Sequence, residues 1–155
     1  MKTFIITLIL MMSAVFSLRA SDEKTIGMEF WKVFAQGDLE KIQDYYADKV
    51  TLDSGSEFLK RVEWGISDPA DGIGKEVLKA DLMKAYGVML QKMGKEKWVA
   101  IFGAVPEENI TAQVKENKNI FLTVKVGKRD DKLGFELAFN KEKNKWQVVW
   151  EHTDY

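Results

Sequence analysis

The chain of 155 residues contains no cysteine, one histidine and two prolines. The absence of cysteine excludes disulfide bonds, thiol nucleophiles, cysteine-ligated metals and a lipid-modified N-terminal cysteine. Because His152 is the only histidine, a zinc site built from several histidine and cysteine ligands is not expected. The acidic residues do not follow calcium-loop spacing, and the glycines begin no dinucleotide-binding motif. The sequence therefore predicts neither a metal site nor a cofactor.

An excess of charge of one sign is also lacking, because 23 lysines and arginines are interspersed with 24 aspartates and glutamates. Proteins that bind nucleic acid usually carry a basic stripe or patch, and none is visible along this chain. There is also no polybasic segment of the kind that attaches a protein to an anionic membrane. We therefore expect a solvated surface and no nucleic-acid partner.

A long apolar run occurs at the N-terminus, where residues 4–16 follow Lys2 and precede Ala20. A basic residue, an apolar segment of this length and a small residue after it are typical of a secretory signal peptide. The run is shorter than the ~20 residues that cross a bilayer. We expect cleavage after Ala20, and a single exported domain over residues 21–155 that is periplasmic or secreted and has no membrane contact. A retained N-terminal anchor is the alternative.

The first half of this domain is predicted to be mainly helical. Apolar residues at helical spacing predict a first helix that begins near Asp22 and ends at Gly37. Asp38 is expected to cap a second, shorter helix. Residues 50–53 read as a short strand, and a long helix is predicted over residues 75–93.

After the long helix, the pattern changes to alternation of apolar and polar residues, which is typical of strands. Short turn segments separate the strands and force antiparallel hairpins. The predicted strands are residues 98–103, 109–114, 120–126, 133–140 and 146–153. Helices followed by a meander of strands predict an α+β protein, in which N-terminal helices and one long helix pack on a curved, mostly antiparallel β-sheet.

Three segments resemble parts of the NTF2-like superfamily, the cone-shaped fold of nuclear transport factor 2, ketosteroid isomerases and SnoaL-like polyketide cyclases. Residues 34–40 (FAQGDLE) are similar to its joint between two helices, and residues 45–51 (YYADKVT) to its entry into the first strand. Residues 144–152 (NKWQVVWEH) are similar to its final strand. The resemblance implies a cone with a pocket between the concave sheet and the helices. It leaves the function open, because this fold hosts enzymes and non-enzymes.

The resemblance nominates Asp53 and His152 as the catalytic residues of an isomerase- or cyclase-like enzyme. Asp53 lies at the end of the predicted first strand, near the position of the carboxylate base that moves a proton beside a carbonyl in the isomerase relatives. A turn-forming acid is the competing interpretation, since Asp53 precedes Ser-Gly-Ser. Histidine is the side chain that titrates near neutrality, and alternation with Trp146, Val148 and Trp150 predicts that His152 points into the cone. A partly exposed histidine near the chain end is the alternative.

Aromatic residues are the candidates for the lining of the pocket. Tyr46 and Tyr86 carry hydroxyl groups of the kind that stabilise an oxyanion. Phe58 and Trp64 lie in an irregular segment, residues 54–75, whose length is typical of a functional loop. The predicted ligand-pocket residues are Tyr46, Phe58, Trp64, Tyr86, Phe135 and Trp150. Tyr46 and Tyr86 have a competing interpretation as core residues, and Trp64 has one as a side chain that plugs the cone.

Three classes of function fit the sequence. A module that binds a small apolar molecule predicts a closed apolar pocket with few polar groups. A protein–protein interaction or homodimerisation domain predicts a filled cone and an exposed apolar patch on the outer sheet face. An enzyme predicts that Asp53 and His152 converge in a water-poor cleft. We rank the classes in this order, because the polar groups available for catalysis are few.

Overall fold

The structure is a computed structural model that describes residues 23–54, 73–127 and 131–154. The predicted signal peptide lies outside the described residues, as do Phe58 and Trp64. Four α-helices and six β-strands make up the described chain. They are α1 (residues 23–35), α2 (Leu39–Asp44), β1 (Tyr46–Ser54), β2 (Ile73–Leu78), α3 (Lys79–Met93), α4 (Lys95–Phe102), β3 (Ile110–Val114), β4 (Ile120–Lys125), β5 (Lys132–Asn140) and β6 (Lys145–Asp154).

The six strands form one open, curved sheet in the order β2-β1-β6-β5-β4-β3. β1 and β6 pair in parallel, and the other neighbouring strands pair antiparallel. The prediction of an α+β protein with a curved, mostly antiparallel sheet is therefore confirmed. The parallel pair brings β1 beside the last strand of the chain, which determines the residues that meet at the centre of the sheet.

The joint between α1 and α2 follows the local sequence. Gly37 has a φ of +63°, which glycine adopts at little cost, and its N–H donates to the Phe34 carbonyl at 3.1 Å. An Asp38 carboxylate oxygen accepts a hydrogen bond from the Lys41 N–H at 3.4 Å, as expected for an N-cap. The predicted end of the first helix and the predicted cap of the second are both confirmed.

The predicted long helix over residues 75–93 begins too early. Residues 73–78 form β2 and pair with β1, so that the helix starts only at Lys79. Val77 is buried between two exposed neighbours, which is the alternation of a strand. Leu78, which extends the helical spacing in the sequence, is 53% exposed and does not belong to the buried helix face.

The predicted strand over residues 98–103 is wrong, because α4 occupies this segment. Its aromatic and β-branched residues favour a strand by intrinsic preference. Trp98 and Phe102 are spaced by four residues and are both buried, as on one face of a helix. The Trp98 indole N–H also donates to the Phe34 carbonyl at 2.8 Å. Packing against α1 thus overrides the local preference.

The core lies between the helices and one face of the sheet, which we call the core face. Phe30 and Phe34 of α1 contact Phe135 of β5, with ring centroids 5.0 and 5.3 Å apart. Trp98 of α4 lies 5.2 Å from the Phe34 ring. Aromatic rings are therefore a prominent part of the described core, beside aliphatic side chains, and they contribute large buried apolar areas.

Gly37→Ala tests the packing at the joint between α1 and α2. We expect a loss of about 3 kcal/mol in the free energy of unfolding, because of backbone strain and overpacking. A Cβ at Gly37 would lie 3.0 Å from Trp98 Cδ1 and 3.1 Å from a methyl carbon of Leu90. The measurement is urea denaturation followed by tryptophan fluorescence.

Gly127→Ala is the matched control for this variant. Gly127 also has a positive φ, +78°, but a Cβ there would meet no heavy atom within 4 Å. We expect only the cost of backbone strain, about 1 kcal/mol. Equal losses in the two variants would contradict the close packing of α4 against the joint.

Candidate functional site

Three polar side chains meet in the core and form what we call the carboxyl–tyrosine cluster: Tyr46 of β1, Tyr86 of α3 and Glu151 of β6. The Tyr86 hydroxyl donates to Glu151 Oε1 and lies 2.8 Å from it and 3.0 Å from Oε2. The Tyr46 hydroxyl donates to Glu151 Oε1. All three side chains are buried, with exposed fractions of 0%, 5% and 6% in chain order. The cluster therefore joins three elements and is largely shielded from bulk water.

Helical spacing places Tyr86 in the cluster. Leu82, Ala85 and Met89 are buried with it, at the intervals expected for one face of α3. This face packs toward β1, where Tyr46 is the first residue of the strand. The hydroxyl group of Tyr86 therefore reaches the sheet from the helix side.

Tyr46 is fixed at an irregular point of the sheet. The register between β1 and β6 shifts after the pair Tyr46 and Val148. At this point the buried Gln147 side chain donates to the Tyr46 carbonyl at 3.2 Å. Asn140 in turn donates to Gln147 Oε1 at 2.8 Å. These side-chain hydrogen bonds replace backbone hydrogen bonds that a regular β-ladder would form, and they hold the start of β1 in place.

A β-bulge in β6 turns Glu151 inward. Glu151 lies opposite Phe135, and Val148 lies opposite Leu137. Directly opposite residues point to the same face of a sheet, so Glu151 shares the core face with Val148, three residues earlier. An uninterrupted strand would put residues three apart on opposite faces. The register shift between Glu136 and Leu137 marks the bulge that makes this possible.

The apolar surroundings decide the ionisation of the cluster. Burial raises the pKa of Glu151 to about 7, and the hydrogen bonds from Tyr46 and Tyr86 act in the opposite direction. Burial, followed by the charge of Glu151, raises the pKa of Tyr46 well above its ordinary value. The carboxyl group therefore holds its proton to a higher pH than an ordinary glutamate does, while Tyr46 stays a neutral hydrogen-bond donor at neutral pH. Such a carboxyl group both donates and accepts hydrogen bonds.

Asp53 and His152, the two predicted catalytic residues, are neighbours across the parallel pair of β1 and β6. Asp53 Oδ2 lies 3.9 Å from His152 Nδ1, which is longer than a hydrogen bond. Their side chains are 35% and 30% exposed. His152 Nδ1 is itself buried and has no hydrogen-bond partner among the described residues. The two residues are therefore close together, but not in a water-poor cleft.

The bulge places His152 on the outer face of the sheet, and not on the core face that its alternation with Trp146 and Val148 predicts. His152 lies opposite Gly134, and its ring stacks on that of Trp150 at 5.5 Å. Asp53 and His152 therefore lie across the sheet from the carboxyl–tyrosine cluster.

The predicted pocket residues divide between the two faces. Tyr46, Tyr86 and Phe135 lie in the core around Glu151. Trp150 lies on the outer face, where its ring contacts Phe121 at 5.3 Å. Of the four predicted pocket residues that the structure describes, three therefore lie together, and Trp150 lies apart from them.

Glu151 is the central residue of the cluster, and it is not among the site residues predicted from the sequence. Strict alternation from Trp146 would send Glu151 to the solvent. One signal of the inward turn is present in the sequence, since Val148, Val149 and Trp150 are three consecutive apolar residues that break the alternation. Such an interruption is compatible with a bulge.

Comparison with known proteins gives no match to a protein-family model and none to a curated protein. Across the described ranges, no three histidine, aspartate or glutamate side chains group in a way that could hold a metal ion. In the same part of the chain, no helix has the length and apolar character needed to cross a membrane.

The buried carboxyl group makes the stability depend on pH. The pKa of Glu151 is about 7 in the folded protein, against 4.5 for an unperturbed glutamate. The contribution of Glu151 to the free energy of unfolding is therefore largest below pH 4.5 and is lost as the pH rises through 7. We expect the free energy of unfolding to be about 2 kcal/mol lower at pH 8 than at pH 5. Urea denaturation at the two pH values measures the difference.

Glu151→Gln should abolish most of this pH dependence, because glutamine stays neutral and can still accept hydrogen bonds from the tyrosines. The control is Glu108→Gln, which changes an exposed glutamate outside the cluster. This control should keep the pH dependence of the wild-type protein. The same pH dependence in Glu151→Gln as in wild type would show that Glu151 does not carry the effect.

Proposed function

We propose that the protein is an exported domain that binds a small, largely apolar molecule through the carboxyl–tyrosine cluster. The observation that carries this proposal is the convergence of one carboxyl group and two phenol hydroxyl groups inside an aromatic core. Small-molecule sites are typically apolar and contain a few well-placed polar groups. The cluster has this composition.

The energetic cost of the cluster supports a role beyond packing. Removing a carboxyl group from water is unfavourable, and its hydrogen bonds to Tyr46 and Tyr86 offset this only in part, since the pKa of Glu151 stays raised. An apolar side chain of similar size would avoid the cost. Strongly shifted ionisable groups concentrate at functional sites. A ligand with a carbonyl or hydroxyl group would exchange hydrogen bonds with all three side chains.

The fold and the location are part of the same proposal. We propose that the helices and the curved sheet form an NTF2-like cone, with the cluster at the place where this fold has its pocket. The resemblance of residues 34–40, 45–51 and 144–152 supports this. The apolar segment at residues 4–16 supports export by a signal peptide.

Native mass spectrometry of the protein purified from its source cells tests the proposal. We expect a bound species heavier than the protein by the mass of one small molecule, which organic extraction then identifies. Tyr86→Phe removes one hydroxyl group and keeps the ring, so the bound fraction should fall several-fold without unfolding. Glu108→Gln, outside the cluster, should retain the molecule. Wild-type protein without any bound molecule, or equal retention by Tyr86→Phe, would contradict the proposal.

A homodimerisation domain is the second candidate function. It is favoured by the aromatic rings on the outer sheet face, where Trp150 lies between Phe121 and His152. A dimer mass without a small molecule in the same native spectrum would favour this function over ligand binding.

A further inference from the structure

A surface groove of about 560 Å³ runs between α1, the end of α2 and the start of β6. We call it the β6 groove. Its described lining residues are Ile26, Glu29, Asp44, Tyr45, Lys145 and Trp146. We propose that the β6 groove binds an organic cation, such as a quaternary or protonated amine on an apolar body. The volume is in the range typical of small-molecule sites.

Two aromatic rings in the groove supply the first element of cation recognition. Tyr45 packs against Phe30 with ring centroids 5.5 Å apart. Trp146 packs against Phe139, also at 5.5 Å. Both rings are therefore held in place before a ligand arrives, which lowers the entropic cost of binding. Aromatic faces attract cations, and tryptophan and tyrosine do so most strongly.

Two carboxylate groups supply the second element. Glu29 and Asp44 are exposed, and neither carboxylate forms a hydrogen bond or an ion pair with another residue in the described part of the chain. Burial raises the pKa of the Tyr45 phenol, and the negative charge of Glu29 raises it further. The negative charge therefore lies beside the aromatic surface.

Lys145 is the one basic side chain among the described lining residues. Its ammonium group donates to the backbone carbonyl of Asp44 at 2.9 Å, so it does not neutralise the Asp44 carboxylate by direct contact. The groove thus combines two acids, one base and two rings, which gives a net negative charge. This balance favours a cation over an anion or a neutral molecule of the same shape.

The groove is separate from the carboxyl–tyrosine cluster. Tyr45 is partly exposed and lines the groove, whereas Tyr46, the next residue, is fully buried in the cluster. The inference therefore does not depend on the proposed function, and a ligand in the groove need not enter the core.

A pair of probes that differ in charge but hardly in shape tests the proposal. Choline carries a trimethylammonium group, and 3,3-dimethylbutan-1-ol replaces its nitrogen by carbon. Both are titrated into the ¹⁵N-labelled protein, and the indole N–H signal of Trp146 is followed by NMR. The Trp98 indole, which is buried and bonded to the Phe34 carbonyl, is the internal control. We expect choline to shift the Trp146 signal in a saturable manner and to bind about tenfold more tightly than the alcohol.

Three charge variants test whether the charge of the groove controls choline affinity. Removal of an acid and removal of the base should change this affinity in opposite directions. Glu29→Gln and Asp44→Asn should each weaken choline binding about threefold, and Lys145→Gln should strengthen it about threefold. Glu108→Gln, which changes an exposed glutamate outside the lining, should leave the affinity unchanged. Equal affinity for the two probes, the absence of a saturable shift at Trp146, or weaker binding by Lys145→Gln would overturn the proposal. Unchanged Trp98 signals in the variants show that the fold is retained.

Discussion

The hydrogen bonds from Tyr46 and Tyr86 to Glu151 join parts of the chain that are 105 and 65 residues apart. A carboxyl group in an aromatic core is tolerated only where such bonds replace its contacts with water. β1, α3 and β6 must therefore keep their relative positions, because displacement of either tyrosine would remove one of the two hydrogen-bond donors to the buried carboxyl group. The centre of the fold and the candidate ligand site thus depend on the same three side chains.

The bulge in β6 gives the two faces of the sheet different chemistry. Glu151 turns to the core, while Trp150 and His152 turn to the outer face, where His152 meets Asp53. One short segment of the last strand therefore supplies a buried carboxyl group on one side and a partly exposed imidazole on the other. Asp53 and His152, which the sequence suggests as partners, are indeed neighbours. The acid whose pKa is raised by burial in the apolar interior, however, is Glu151.

Local signals in the sequence predict much of the fold. The end of α1 at Gly37, the cap of α2 at Asp38 and the strands after residue 109 follow from spacing and turn residues. Long-range packing decides the elements that the sequence misassigns, since β2 forms by pairing with β1 and α4 by packing Trp98 against α1. Glu151 escapes prediction for the same reason. The direction of its side chain depends on the pairing of β6 with β5, and this pairing cannot be read from the alternation of apolar and polar residues along β6.

The ionisation of Glu151 in the folded protein is the most direct test of the buried carboxyl–tyrosine cluster. Glutamate is labelled with ¹³C at the side-chain carboxyl carbon, and Glu151→Gln assigns its NMR signal. We expect a titration midpoint near 7, and a higher midpoint in Tyr86→Phe, because that tyrosine stabilises the ionised form. A midpoint near the 4.5 of an unperturbed glutamate would show that the carboxyl group is hydrated, and would contradict the buried cluster.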